Sequence, residues 1–343
     1  MTIFGSKMMK AEINNSIMAW SIATTLFWYS YQIGKVVPKG LGRLVALFPP
    51  IIILLLLPKR LNDVHLILIF AFCHTWLSTF KLLLFAIGKG PLSSNPPPSL
   101  AHFLLLASLP IEFRHKINTN QNKRKLTHLN WHEFVVGMSI FAYFFIPTYE
   151  KKESLLELKL TFLYCMHLYF GLEIFLFLIT AIARKFVRVE LEKPFDRPYL
   201  STSLQDFWGR RWNIMATRIL HATIYEPMLK AFSHVIGRKW APIPSVLVTF
   251  MVSSLMHELM FYYMKRDGNS ETWELCWDSI CFFLIHGVCV ALQIAYKKIF
   301  KPKRDLLPRV VSCPLTVTFA VSTGMWIYVP PLVRCGVSFT QKS

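Results

Sequence analysis

The sequence predicts an all-α integral membrane protein, and its composition, hydropathy and charge distribution each favour that fold. Hydrophobic residues make up 54% of the 343 residues and charged residues only 17%, whereas soluble domains average roughly 25% charged residues. The apolar residues come in blocks close to the length of about 20 residues that a helix needs to cross a bilayer. Only helices and closed barrels satisfy the backbone in a bilayer, and these blocks are too long and unalternating for barrel strands.

Eight apolar blocks are interpreted as membrane-spanning helices, and a shorter block at residues 100–111 is either a ninth span or a re-entrant segment. We therefore expect a polytopic protein with about 8–9 transmembrane helices. Residues 1–343 are treated as a single membrane-embedded domain, whose core motifs lie within residues 186–300. The eight blocks are residues 17–33, 44–57, 64–87, 131–149, 155–183, 245–264, 275–296 and 310–329.

The net charge of +19 indicates basic cytosolic loops and not a nucleic-acid-binding surface. Residues 114–125 contain five Lys or Arg and no acid, while residues 265–274 contain two bases and three acids. Alternation then places residues 265–274 in the lumen. The loops predicted to be cytosolic are residues 113–130, 184–244 and 297–309.

One loop disagrees with this alternation. Residues 34–43 carry Lys35, Lys39 and Arg43, yet the order of spans places the loop outside the cytosol. Either residues 100–111 do not span the membrane, or the first hairpin is unusual.

The block at residues 245–264 carries His257 and Glu258 near its middle. An ionisable residue at that depth costs roughly 2.5–3.5 kcal/mol on insertion scales. Ser253 lies four residues before His257, on the same helix face, and could orient its ring, whereas Glu258 points elsewhere. The imidazole is a candidate proton acceptor; the alternative is a structural histidine held inside a helix bundle.

No metal site is expected. The His257-Glu258 pair does not form the zinc motif HExxH, because the fifth position is Phe261. His128 and His132 form one HxxxH pair, but di-iron membrane enzymes need several such boxes. The seven cysteines show no metal-binding spacing.

The region from residue 186 to residue 244 contains no clean span, because it is polar at first and interrupted by Pro194 and Pro198. Thr202 or Ser203 is predicted to cap a helix. We expect interfacial or re-entrant helices around residues 200–236, where charged residues are interspersed with apolar ones.

Residues 206–213 read Asp-Phe-Trp-Gly-Arg-Arg-Trp-Asn. Arg210 and Arg211 could bind phosphate, and Asn213 could donate to a carbonyl or hold a hydroxyl. Trp208 and Trp212 are four residues apart, so a helix would place them on one face. The alternative is an anchor in the membrane interface, where Trp and Arg are both favoured.

The chain resembles the plant wax synthase family, within the wider group of membrane-bound O-acyltransferases. Plant acyl-CoA:sterol acyltransferases look similar across the same blocks. The resemblance runs nearly end to end and rests on Trp76-Leu77, residues 80–86, Gly-Pro-Leu-Ser at 90–93, residues 198–213 and Met-His-Glu at 256–258.

This resemblance implies acyl transfer from acyl-CoA to a long-chain fatty alcohol, which makes a wax ester, or alternatively to a sterol. It implies that His257 is the catalytic histidine and that Asn213 is the polar partner residue of the Trp-Asn motif at positions 212 and 213. We further expect substrate-binding roles for the remaining residues of both motifs: Asp206, Trp208, Arg210, Arg211, Trp212 and Glu258.

Acyl-CoA is then a co-substrate, and no cofactor is needed because the thioester is already activated. The expected location is the endoplasmic reticulum membrane, where the protein contacts membrane lipids. A proton-coupled transporter is the alternative from a different class, but it predicts repeated halves and paired ionisable groups in several spans, which the sequence lacks.

Overall fold

The computed structural model describes residues 3–94, 97–111, 157–187, 191–265, 275–301 and 307–334, and the single positions Val135, Ser139 and Tyr143. Within these ranges every regular secondary-structure element is a helix, which confirms the predicted all-α fold class. Irregular π-helical stretches at Ala71–Ser78, Phe207–Arg211, His221–Tyr225 and Gly324–Tyr328 join several of them. The α-helices are α1 (Ile3–Val36), α2 (Leu41–Leu56), α3 (Val64–Phe70), α4 (Thr79–Ala86), α5 (Leu100–Ser108), α6 (Glu157–Val187), α7 (Leu204–Asp206), α8 (Ile214–Leu220), α9 (Glu226–Ile236), α10 (Pro242–Met264), α11 (Trp277–Phe300), α12 (Arg309–Thr323) and α13 (Val329–Arg334).

Six helical stretches in the described ranges are long and apolar enough to cross a membrane, and they coincide with six of the eight predicted blocks. The predicted block 17–33 lies inside the long helix α1 and is not among the six, while block 131–149 lies outside the described ranges. Residues 200–236 form short helical stretches, none of them among the six. The six are Leu41–Arg60, Val64–Ser93, Glu157–Arg184, Pro242–Met264, Trp277–Phe300 and Arg309–Arg334.

The short block at residues 100–111 does not form a span. Its helix, α5, has nine residues, and at 1.5 Å per residue it is about 14 Å long. That is less than half of a hydrocarbon core roughly 30 Å thick. Ser99 caps the start of this helix, because its hydroxyl accepts a hydrogen bond from the N–H of His102. The re-entrant interpretation is therefore the one that the helix length allows.

The chain divides into two compact units. The first comprises Met1–Pro110, Ala216–Pro308 and Pro331–Ser343, and the second comprises Ile111–Met215 and Arg309–Pro330. The prediction of one continuous domain stays a prediction.

One end of the first unit is rich in basic residues, and we call it the basic end. The N–H of Gly40 donates to the carbonyl of Ala86 (2.8 Å), which joins the α1–α2 turn to the end of α4. Lys89 pairs with Glu226 at 3.6 Å, which brings the start of α9 to the same end. Several exposed basic residues belong to these segments and to the neighbouring ends of α10 and α11. They are Lys35, Lys39, Lys89, Lys230, Arg238, Lys239, Lys297 and Lys301.

At the opposite end of the first unit, a carboxylate connects α1 to the segment that precedes α3. The Glu12 side chain accepts hydrogen bonds from the backbone N–H groups of Asn62 (2.8 Å) and Asp63 (3.0 Å). Burial by itself would raise the pKa of Glu12, but these donors hold its pKa below the ordinary value. The hydroxyl of Tyr263, near the end of α10, donates to the carbonyl of Leu55. Helix α10 therefore ends, and α11 begins, at this end.

These contacts remove the exception in the charge alternation. Residues 34–43 lie at the basic end together with Glu226, which belongs to the predicted cytosolic segment 184–244. Of the two explanations that the sequence left open, the short length of α5 supports the first. The cytosolic side of the basic end stays a prediction.

The stretch Val64–Ser93 is the centre of the first unit. In its most apolar segment 78% of the residues are buried, whereas the corresponding value is 44% or less in each of the other five candidate spans. Lys81 in this stretch is only 1% exposed. Its Nζ donates to the carbonyl oxygens of Leu106 and Leu109, each at 2.6 Å. The lysine thus supplies donors to the C-terminal carbonyls of α5, which have no partner within the helix.

We expect Lys81→Met to lower the stability of the protein, because a side chain of similar length would leave those carbonyls unsatisfied. An unpaired buried polar group costs about 1–3 kcal/mol. Thermal unfolding of the purified protein in detergent measures the effect, with the exposed Lys10→Met as the matched control. An unchanged melting temperature for Lys81→Met would contradict this role.

Candidate functional site

His257 lies in α10 as the sixteenth of its 23 residues. Its Nδ1 is 2.8 Å from the carbonyl oxygen of Ser253, so the predicted contact with residue 253 is made by the backbone and not by the hydroxyl. A carbonyl can only accept, and Nδ1 therefore carries the proton. In the neutral ring, Nε2 then has the lone pair. This is the tautomer that a proton acceptor at Nε2 requires.

Two aromatic rings pack on His257. The ring of Trp76, from the π-helical stretch Ala71–Ser78, meets it edge to face with centroids 4.8 Å apart and planes at 74°. The ring of Phe283 from α11 lies 4.2 Å away at 30°. The imidazole is thus held between the central stretch Val64–Ser93 and α11, in an apolar environment.

Trp76 and His74 are functional candidates that the reasoning from residue types missed. Trp76 is 3% exposed, and its indole N–H has no hydrogen-bond partner among the described residues. His74 is fully buried among the rings of Trp20, Phe27 and Phe70. The available signal was a histidine and a tryptophan two residues apart in an apolar block, and Trp76 was noted only for its family resemblance.

Glu258 faces away from His257, as its position on the helix predicts. It is 3% exposed, and its Oε1 accepts a hydrogen bond from the backbone N–H of Cys276 (2.7 Å) at the start of α11. The carboxylate therefore connects α10 to α11. Its predicted role in substrate binding stays a prediction.

Asp206 and Arg211, in the second unit, form an ion pair. The Nε of Arg211 lies 2.7 Å from Oδ2 of Asp206, and its Nη1 donates to the carbonyl of Asp196 (3.1 Å). Ser203, one of the two predicted caps, accepts from the N–H of Asp206 (3.1 Å). Arg210 is exposed. Arg211 therefore stabilises the fold of the motif, while Arg210 projects its charge outward.

Trp212 is the centre of an aromatic cluster. Its ring stacks on Phe207 at 5.3 Å and on Tyr169 at 5.7 Å, with interplanar angles of 19° and 28°. Phe195 meets it edge-on at 5.3 Å. Trp208 and Trp212 do meet, at 6.2 Å, but not as neighbours on a regular helix face. The π-helical stretch ends at Arg211, and the backbone of Trp212 is extended.

Asn213 has a left-handed backbone with φ of 37° and is 8% exposed. The residues on either side hold it there: the carbonyl of Arg211 accepts from the N–H of Asp196 (3.0 Å), and the N–H of Ile214 donates to the carbonyl of Pro194 (2.8 Å). Asparagine tolerates this conformation better than most residues. The structure therefore gathers Asp206, Trp208, Arg211, Trp212 and Asn213 in the second unit, whereas His257 and Glu258 belong to the first.

Among the described residues there is no group of three or more His, Cys, Asp or Glu side chains that could hold a metal ion. The HxxxH pair His128 and His132 lies outside those ranges.

Known proteins are similar to this chain over almost all of its length. The model of the membrane bound O-acyl transferase family matches residues 191–285, which contain both the 206–213 motif and His257. Acyl-CoA–sterol O-acyltransferase 1 of Arabidopsis thaliana is 41% identical over 94% of this chain and 91% of its own. The long-chain-alcohol O-fatty-acyltransferase of Simmondsia chinensis is 39% identical, over 95% and 92%. A probable long-chain-alcohol O-fatty-acyltransferase 1 of Arabidopsis thaliana is 34% identical, over 96% and 94%.

The different environments of the two arginines predict different effects on stability. We expect Arg211→Ala to lower the thermal unfolding temperature, because a charge-assisted hydrogen bond contributes about 1.5–3 kcal/mol and Asp206 would lose its partner. The exposed Arg210→Ala is the matched control and should unfold close to the wild-type temperature. Equal melting temperatures for the two variants would contradict a stabilising role for the Asp206–Arg211 pair.

Proposed function

The protein belongs to the membrane bound O-acyl transferase family, and on that basis we propose that it esterifies a long-chain fatty alcohol with the acyl group of acyl-CoA, making a wax ester. Similarity to long-chain-alcohol O-fatty-acyltransferases over nearly the whole chain supports the reaction class. The observation that supports the proposed chemistry is the placement of His257. It lies inside a candidate membrane span, and its Nδ1 proton is directed to the Ser253 carbonyl.

Sterol esterification is the second candidate, because a sterol O-acyltransferase is 41% identical to this chain while a long-chain-alcohol enzyme is 39% identical. Both acceptors are apolar molecules with one hydroxyl, and both dissolve in the bilayer. No relative named above supports the transporter alternative.

In the proposed reaction, Nε2 of His257 accepts the proton of the acceptor hydroxyl as its oxygen attacks the carbonyl carbon of the thioester. The new C–O bond forms and the C–S bond breaks. The leaving thiolate of CoA then receives the proton from His257. The products are an ester and free CoA, and the reaction consumes no external proton, metal or redox cofactor.

We propose that Asn213 contributes a donor for the substrate, either to its carbonyl or to its hydroxyl oxygen. Arg210 is the proposed phosphate contact for CoA, because its guanidinium is exposed. Arg211, held by Asp206, acts by keeping the loop that carries Arg210 in place. The Trp208 and Trp212 rings belong to the same aromatic cluster, and we propose that they contact the bound substrate.

The two substrates should approach His257 from different phases. The long-chain acceptor is already in the bilayer. The nucleotide part of CoA is too polar to enter, so it stays at the membrane surface. His257 is 15 residues from the start of α10, or about 22 Å along the helix, so the pantetheine arm of CoA must carry the thioester inward to reach it. We infer that the membrane is that of the endoplasmic reticulum.

We expect microsomes that contain this protein to form ester from labelled acyl-CoA and a fatty alcohol, and His257→Ala to lower the rate by about 10²–10⁴-fold, the usual contribution of a general base. A parallel assay with a sterol decides between the acceptors, and the exposed His65→Ala is the control. His257→Ala activity within a few-fold of wild type, at equal amounts in the membrane, would contradict the mechanism.

We also expect the basic end to face the cytosol, where acyl-CoA is dissolved. Single cysteines at Lys39 and Lys301 in a cysteine-free background should react with an impermeant maleimide on sealed microsomes. A cysteine at Lys265, from the opposite end, should react only after permeabilisation. The reverse labelling pattern would mean that CoA and the acceptor do not approach as proposed.

A further inference from the structure

The indole N–H of Trp76 is an unusual donor. The residue is 3% exposed, and its Nε1 has no partner among the described residues. A buried donor without an acceptor costs about 1–3 kcal/mol, and phenylalanine would fill much of the same space without that cost. Buried indole N–H groups are ordinarily paired. A substrate oxygen bound beside Trp76 would supply the acceptor that the described residues do not.

The position of Trp76 identifies where that acceptor would be. The centroid of its ring is 4.8 Å from that of the His257 ring, so a substrate group beside this pair of rings can touch both residues. Trp76 also lies in the π-helical stretch Ala71–Ser78, all of whose residues are buried. Irregular turns of this kind shift the direction of side chains and are frequent at functional sites.

We propose that the N–H of Trp76 donates a hydrogen bond to the carbonyl oxygen of the acyl thioester while the acceptor hydroxyl, activated by His257, attacks the carbonyl carbon. This inference rests on the proposed function. Trp76 is then a catalytic residue that contacts the reacting group, in addition to the donor that Asn213 is proposed to provide.

The physical reason lies in the charge that develops during the reaction. As the hydroxyl oxygen bonds to the carbonyl carbon, the C=O electron pair moves onto the carbonyl oxygen. A fixed donor is most effective at that oxygen, because the aromatic environment excludes water. The same N–H interacts only weakly with the uncharged thioester, so the stabilisation falls mainly on the transition state and hence on kcat.

The test is Trp76→Phe, which keeps an aromatic ring beside His257 and removes the N–H. The matched control is Trp277→Phe, because Trp277 is 65% exposed. Both variants are assayed with labelled acyl-CoA and whichever acceptor the wild type uses. Rates are divided by the amount of folded protein, measured by gel filtration of a fluorescently tagged enzyme.

We expect Trp76→Phe to lower kcat by roughly 10²–10³-fold, as removal of one oxyanion donor does, with the KM values for acyl-CoA and the acceptor within about twofold of wild type. Trp277→Phe should match wild type. A kcat for Trp76→Phe within a few-fold of wild type would overturn the proposal. So would an activity that falls only in proportion to the folded protein, since that is the result of a packing role.

The outcome for Trp76 is distinguishable from failure of the proposed function. If the wild type forms no ester with either acceptor, the proposed function fails and this inference fails with it. If the wild type is active and Trp76→Phe is equally active, only the role of Trp76 is wrong. A change confined to the KM of the acceptor would also overturn the proposal, because it would assign the N–H to the acceptor hydroxyl.

Discussion

A polar group inside a membrane-spanning helix must find its hydrogen-bond partner within the protein, since the lipid offers none. The first unit follows this constraint at its most costly positions. Lys81 donates to two carbonyls at the end of α5, Glu258 accepts from the N–H of Cys276, and Thr75 donates to the carbonyl of Leu54 (3.1 Å). In each case the partner is a backbone group of a neighbouring segment. These polar side chains thus specify which segments meet, which apolar packing alone does less well.

The same constraint makes buried polar groups without a hydrogen-bond partner informative. His257 itself contacts the Ser253 carbonyl, but several other buried polar atoms of the first unit have no partner among the described residues, including Oγ of Ser254, Oγ of Ser279 and Nε2 of His74. The N–H of Trp76 is another such group, and the Trp76 ring contacts the ring of His257, the residue that carries the proposed chemistry. An unpaired group is costly to keep, so its place beside the histidine favours a role in the reaction over one in packing.

The 206–213 motif combines stability and function in adjacent residues. Arg211 is bound by Asp206, Trp212 is stacked between two rings, and Asn213 is held in a left-handed conformation by its neighbours. These contacts fix the backbone on both sides of the exposed Arg210. Adjacent charged and aromatic residues of this motif therefore have different roles. Of its two arginines, only Arg210 is exposed, whereas Arg211 is paired with Asp206.

The sequence by itself determined the fold class, six of the described spans, the position of His257 within a span and the direction of Glu258. These depend on hydropathy and helical periodicity, which are properties of single segments. The tertiary structure decided what depends on distant parts of the chain. It showed that α5 is too short to span, that residues 34–43 lie beside α4, that Arg211 pairs with Asp206 across a π-helical turn, and that Trp76 contacts His257 from 181 positions away. Periodicity cannot predict such contacts, because an irregular turn changes which side chains share a face and because packing between helices is set by their three-dimensional fit.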